Sequence, residues 1–106
     1  MTAQKFRNID KVTSHLPFNC VVTGDHISEM YDRFESGLCD QTTCNAVALS
    51  LSQILNHPVR VFRRHGLALL ELPNQRITAL PDPVCKWLEE VDRGLPPKPF
   101  RFEMAV

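Results

Sequence analysis

The chain has 106 residues, of which 43% are apolar and 23% charged, values that are ordinary for one soluble globular domain. Twelve Lys and Arg residues balance twelve Asp and Glu residues, so the net charge gives no general attraction to nucleic acid or to an anionic membrane. No apolar run approaches the roughly 18 residues that span a bilayer, and no apolar secretion segment follows the first basic residues. These features predict a cytoplasmic protein without a membrane contact.

The four cysteines allow disulfides, zinc ligation or free thiols. Disulfides are typical of secreted proteins, and nothing in the sequence indicates secretion. Cys39 and Cys44 could supply half of a zinc site, but a second closely spaced ligand pair is missing. Three histidines could complete such a site: His26, His57 and His65. We expect four reduced thiols, with no metal and no cofactor.

The first half of the chain predicts an arm, a strand and two helices. Residues 1–17 are polar and weakly patterned, and they read as a flexible arm before one domain of residues 18–106. A short strand over 18–23 precedes a helix that we expect Asp25 to cap and Gly37 to end. The next helix should begin near residues 40–43, carry a broad apolar stripe, and end before Pro58.

The second half changes from a helical period to an alternating one. Residues 59–64, 67–72 and 76–80 predict three strands in an antiparallel meander, the middle one apolar enough to be covered on both faces. Asp82 should cap a last helix with Pro83 at its first position. After a proline-rich connector, residues 100–105 alternate as a half-buried strand does.

The elements follow the order β-α-α-β-β-β-α-β, which predicts an α+β domain with helices packed on a small, mostly antiparallel sheet in two layers. The stripes also predict the core. Its expected members are Phe34, Val47, Leu51, Ile54, Val61, Leu69, Leu72, Trp87, Leu88, Phe100 and Phe102.

Several stretches resemble small uncharacterised proteins of phages and mobile elements. Residues 44–51 resemble their cysteine-led helix, and residues 80–84 and 92–103 resemble their Leu-Pro-turned helix and their Pro-Phe-x-Phe-Glu ending. Residues 25–27 match the acid-His-Ile that precedes that helix. The chain departs from the pattern at Asn45, where a proline is usual, and in a longer helix after Asp25. The resemblance covers residues 21–104 and implies a fold and a phage-type origin without an activity.

An enzyme would most readily use Cys44. The thiol lies near a predicted helix start, where the helix dipole lowers a thiol pKa. A histidine could act as base, with Asp25 or Asp40 to orient it. However, Cys44 also opens an apolar stripe, and no glycine-rich oxyanion loop is present. The pattern therefore favours a packing residue over a catalytic one.

A basic cluster lies in and after the first strand of the meander. Arg60 and Arg64 share one strand face by the period of two. Such a cluster could bind phosphates, or it could simply protect a sheet edge from pairing. Its members are Arg60, Arg63, Arg64, His65 and Arg76.

Protein binding remains the class that size and implied origin favour. The basic cluster and the pre-extended connector of Pro96, Pro97 and Lys98 are the expected contacts. We therefore expect an accessory protein that binds and inhibits or modulates a host or phage protein, with anti-defence inhibition as one form. Nucleic-acid binding through the basic cluster and a Cys44-dependent enzyme are the alternatives.

Overall fold

The computed structural model describes residues 17–37 and 39–105. The predicted arm lies outside these residues except for Pro17. These residues form four helices: α1 (Gly24–Ser36), α2 (Gln41–Cys44), α3 (Ala46–Leu55) and α4 (Asp82–Asp92). The same described part of the chain forms five strands: β1 (Phe18–Val22), β2 (Arg60–Arg64), β3 (Leu67–Glu71), β4 (Ile77–Ala79) and β5 (Phe100–Met104).

The strands form two antiparallel sheets, which confirms the α+β class. The meander forms a sheet of order β2-β3-β4, as the two short turns predict. The last strand does not join the meander: β5 pairs with β1, so that Phe18 lies opposite Met104 and Val22 opposite Phe100. The first and last described strands therefore form a second sheet of their own, which brings the two ends of the described chain together.

The N-cap of helix α1 lies two residues before the predicted cap Asp25. Thr23 is the N-cap, because its Oγ1 accepts the backbone N–H of His26 while Nδ1 of His26 accepts the backbone N–H of Thr23. A histidine in the glutamate position of a capping box hides this start from the usual sequence signal. Gly37 ends the helix in the left-handed conformation, with φ of 69°, as predicted.

The second predicted helix is divided at Asn45. This residue is extended, with φ of −69° and ψ of 158°, and it separates α2 from α3. Its Oδ1 accepts the backbone N–H of Ala48, and its Nδ2 donates to the carbonyl oxygens of Gln41 and Val61, each at 2.9 Å. The buried amide thus caps α3 and joins both helices to β2.

The hairpin between β2 and β3 is tight. His65 and Gly66 form its two-residue turn with φ of 55° and 77°, the positive values that a type I′ turn needs. At the next helix, Asp82 is the first helical residue and Pro81 is the N-cap, so the predicted start of α4 was one residue late. Pro83 still lies in the first turn, where its missing N–H costs nothing.

The core lies between the helices and one face of each sheet. Six predicted members are buried: Val47, Leu51, Val61, Trp87, Leu88 and Phe102. Three pack against the core while partly exposed: Phe34, Leu72 and Phe100. The prediction was wrong for Ile54, which is 44% exposed. It lies in the last turn of α3, after the buried part of the helix ends at Leu51. The prediction was also wrong for Leu69, which is only partly buried and lies on a sheet face that no described element covers.

Candidate functional site

The meander has one covered face and, within the described residues, one open face. Ala68 and Leu70 of β3 are buried on the covered face, so the strand period of two places the alternate residues on the opposite one. The strand registers align these alternate residues in rows across the sheet. We call this surface the open sheet face. It consists of Arg60, Phe62, Arg64, Leu67, Leu69, Glu71, Ile77 and Ala79.

Two arginines flank an aromatic ring on β2. The Cζ atoms of Arg60 and Arg64 lie 5.4 and 5.3 Å from the ring centroid of Phe62, within cation–π range. Arg60 also donates from Nη1 to Oε1 of Glu71 at 2.6 Å and from Nε to Oγ1 of Thr42 at 3.1 Å. Arg64 makes no ion pair with any carboxylate among the described residues. Its charge is available to a partner.

Apart from Glu71, which pairs with Arg60, the rest of the open sheet face is apolar. Leu67 and Ile77 are each 50% exposed. Leu69 occupies the central row between Phe62 and Ala79, on the strands to either side. Adjacent apolar side chains exposed in this way mark interaction surfaces on soluble proteins. The surface thus combines apolar side chains with arginine, a residue type that is enriched in protein interfaces.

Arg63 does not belong to this surface. It alternates with Phe62 and reaches α4, where Nη2 donates to Oδ2 of Asp92 at 2.6 Å and Nη1 lies 3.8 Å from Oε2 of Glu89. The hydrogen bond to Asp92 raises the pKa of the Arg63 guanidinium above its usual value. The predicted basic cluster is therefore split between two faces of the sheet.

The other two members of the predicted cluster lie in turns. His65 is exposed at the tip of the β2–β3 hairpin, beside the Arg64 end of the open sheet face. Arg76 is exposed at the end of the turn before β4, and its carbonyl oxygen accepts the N–H of Leu72 at 2.9 Å. This backbone pairing continues the register in which Glu71 faces Ile77. By the period of two, Arg76 falls on the covered side.

The proline-rich connector is attached to the helical side of the domain. Nε1 of Trp87 in α4 donates to the carbonyl oxygen of Lys98 at 2.8 Å. Pro96 and Lys98 are exposed and Pro97 is partly buried. Because α4 packs on the covered face of the meander, a contact through this connector would be separate from one through the open sheet face.

A disulfide joins Cys39 and Cys44, so the prediction of four free thiols was wrong. The two Cα atoms are 6.4 Å apart because the turn into α2 brings the residues together, and this short approach suits a disulfide as well as a metal. Cys39 is partly exposed and Cys44 is buried. Cys20 and Cys85 are free.

The disulfide lines a groove of about 940 Å³ that also contains His26 and His57. The structure thus brings together residues that a Cys44-dependent enzyme would use. However, the sulfur of Cys44 is bonded to Cys39, and His26 uses both ring nitrogens, the second on Oε1 of Gln53 at 2.7 Å. In this arrangement neither group is free to act as a nucleophile or as its base.

The thiol of Cys20 is buried and should resist modification. Its Sγ lies 3.0 Å from Oγ of Ser50, and burial raises its pKa above the usual value even though the hydrogen bond lowers it in part. The thiolate, which is the form that reacts, is therefore scarce at neutral pH. We expect native Cys20 to stay unmodified by iodoacetamide at pH 7.5 while partly exposed Cys85 reacts, as mass spectrometry of the labelled chain would show. Labelling of Cys20 as fast as that of Cys85 would contradict this.

Sequence reasoning missed Leu67, Ile77 and Glu71 as surface residues. The apolar run of β3 was interpreted as a strand covered on both faces. A signal against that reading was available: Arg60 and Arg64 pair across the hairpin with Glu71 and Leu67, so charged residues share the face of the alternate leucines. Charged side chains in this row favour an open face, because arginine and glutamate are seldom fully buried.

Comparison with known protein families, curated proteins and solved structures finds no match for the chain. Among residues 17–37 and 39–105, no helix combines the length and apolar character needed to cross a bilayer. The same residues contain no cluster of three metal-ligating side chains with a geometry that could hold an ion. A proposal for the function therefore rests on the geometry and chemistry of the described surfaces.

Proposed function

We propose that this protein is a binding module whose open sheet face docks onto an apolar, acidic-rimmed surface of another protein and thereby inhibits or modulates it. The resemblance to phage-encoded proteins supports a host protein in the cytoplasm as the partner, with inhibition of a defence protein as one form of the activity. A phage protein of the same surface chemistry would be bound in the same way.

One observation is the basis of the proposal: a largely apolar sheet face that no described element covers lies beside two arginines that flank one ring. The apolar residues supply the area that a partner would remove from water. Arg64 has no carboxylate partner in the described chain, so its desolvation is offset when the other surface provides one. These features together support a partner protein whose surface carries carboxylates around an apolar patch.

The arginine border can be tested by charge reversal. The tagged Arg60→Glu/Arg64→Glu variant should lose the protein complex that the unchanged chain retains on affinity purification from its host after nuclease treatment. The matched control is Arg93→Glu/Arg101→Glu, which reverses two exposed charges outside the open sheet face. Equal loss in both variants would show that only overall charge matters. Full retention by the first variant would contradict the proposal.

The apolar part of the open sheet face is tested by two variants and one matched control. Leu67→Ser and Ile77→Ser change half-exposed side chains of the open sheet face, while Val21→Ser changes a 47% exposed side chain of the other sheet. We expect the first two to weaken the complex at least about tenfold and the third to leave it unchanged, since buried interface anchors dominate affinity. Circular dichroism confirms that each variant is folded before binding is measured.

Nucleic-acid binding is the second candidate, because an aromatic ring between arginines on a strand can also stack on a base. In that case the complex disappears on nuclease treatment, and affinity for a single-stranded oligonucleotide falls steeply as salt rises. Retention after nuclease favours the protein partner. The balanced net charge of the chain favours the same conclusion.

A further inference from the structure

A short chain of hydrogen bonds connects the disulfide loop to the open sheet face. Asp40 lies inside the loop that Cys39 and Cys44 close, and its Oδ1 accepts both the backbone N–H and the hydroxyl of Thr42 at 2.6 Å. Oγ1 of Thr42 in turn accepts the Nε–H of Arg60 at 3.1 Å. The loop therefore helps to fix one of the two arginines beside Phe62.

We infer that the Cys39–Cys44 pair is a reversible thiol–disulfide exchange site whose oxidised form holds Arg60 in its docking position. The exchange reaction requires only the two cysteines. Its effect on docking rests on the proposed function. The reacting partner is a low-molecular-weight thiol of the glutathione type, with its own disulfide as the oxidant.

The two cysteines differ in access in a way that suits this chemistry. Cys39 is partly exposed and Cys44 is 2% exposed, and both border the groove of about 940 Å³. An incoming thiol therefore meets the sulfur of Cys39 first. In the cytoplasm, where the proposed function places the chain, disulfides are mainly transient, catalytic or redox-sensing.

The exchange balances in two steps. A thiolate attacks Sγ of Cys39, the bond to Sγ of Cys44 breaks, and Cys44 leaves with the electron pair and takes up a proton. A second thiolate attacks the sulfur of the first one, and Cys39 leaves as a thiolate that is protonated in turn. Two small thiols thus become one small disulfide, and two electrons reduce the protein.

The site itself is tested on the folded chain without any docking partner. The protein is equilibrated with glutathione and glutathione disulfide at ratios that span reducing and oxidising conditions, then quenched with acid, alkylated under denaturing conditions and analysed by mass spectrometry. We expect Cys39 and Cys44 to pass together from disulfide to labelled thiols, while Cys20 is labelled as a free thiol at every ratio. A pair that remains a disulfide, or remains thiols, at every ratio overturns the inference.

Amide hydrogen exchange tests whether the disulfide orders the loop. The N–H groups of Thr43 and Cys44 donate to the carbonyl oxygen of Asp40 at 3.1 and 3.2 Å. Reduction, or the variant Cys39→Ser, removes the link that closes this turn. We expect these amides to exchange at least roughly tenfold faster in either case, while the amides of β3 are unchanged. Equal exchange rates in the two redox states would show that the disulfide does not order the loop.

The connection to the open sheet face has a separate readout. The Nε–H NMR signal of Arg60 should shift on reduction, because its acceptor Thr42 becomes mobile. In the Thr42→Val variant the cysteine pair should still exchange, but the Arg60 signal should no longer respond to it. An Arg60 signal that is identical in both redox states of the unchanged chain overturns the inferred effect of the disulfide on Arg60.

The two proposals can fail independently. A cysteine pair that does not exchange, in a chain that still binds its partner through the open sheet face, overturns only this inference. A pair that exchanges and moves the Arg60 signal, in a chain whose arginine reversal leaves the complex intact, overturns the proposed function and the docking role of Arg60, while the exchange site and its connection to Arg60 stand.

Discussion

Replacing Leu51 by alanine should lower the free energy of unfolding by about 2–5 kcal/mol. Leu51 is fully buried in α3, the helix that contacts α1 and β1 and lies beside β2, so the removed atoms leave a cavity that several elements surround. A domain of this size has only about 5–15 kcal/mol of stability, so the loss should be visible as a much earlier urea midpoint.

Ile54→Ala is the matched control for this measurement. It shortens an aliphatic side chain in the same helix, but Ile54 is 44% exposed and leaves no enclosed cavity. We expect its effect on the unfolding free energy to stay below about 1 kcal/mol. If both variants lose the same stability, α3 does not pack as the structure describes.

Replacing Asn45 by alanine should lower the free energy of unfolding by about 2–4 kcal/mol. The change removes a helix cap and leaves buried backbone groups without hydrogen-bond partners. The amide of Asn45 makes three hydrogen bonds at 2.9 Å, and the side chain is 7% exposed. The carbonyl oxygen of Val61 and the N–H of Ala48 would both lose a partner. Thermal or urea unfolding of the variant gives the value.

Asn45→Ser separates the two roles of this amide. A serine hydroxyl can still cap the N–H of Ala48 but is too short to reach Val61 and holds no second donor. We expect it to recover only part of the stability that alanine loses. Full recovery would show that the bond to β2 contributes nothing.

The order of elements could be predicted because turn and cap residues mark it locally. His65 and Gly66 give the hairpin, Gly37 ends α1, and Pro83 opens α4. The break at Asn45 could not be predicted in the same way, since the apolar stripe continues through both helices. At the break the amide of Asn45 caps the local N–H of Ala48 and also donates to the carbonyl oxygen of Val61, 16 residues away, a contact that no local pattern contains.

The candidate site was predictable only in part. The period of two placed Arg60 and Arg64 on one face, and the structure places both beside Phe62. The same period separates Arg63 from them, although charge clustering suggested one patch. The apolar run of β3 taken alone does not reveal that one face is open, because burial depends on which element packs above it; the charged residues opposite it on β2 are the signal.

The state of the cysteines also could not be predicted from local sequence patterns. Sequence spacing allowed Cys39 and Cys44 to be zinc ligands, thiols or a disulfide, and composition favoured thiols. The turn into α2 decides between these by bringing the two sulfurs into bonding distance. That approach depends on the cap made by Asp40, whose pKa is held below its usual value by the hydrogen bonds from Thr42.

Methyl chemical-shift mapping with the purified partner tests the central claim most directly, since it locates the interface on the folded chain. On addition of that partner, the largest shifts should occur at Leu67, Leu69 and Ile77 of the open sheet face, and they should be absent with the Arg60→Glu/Arg64→Glu variant. Large shifts at Leu95 beside the proline-rich connector or at Leu88 of α4, with the open sheet face unchanged, would contradict the account.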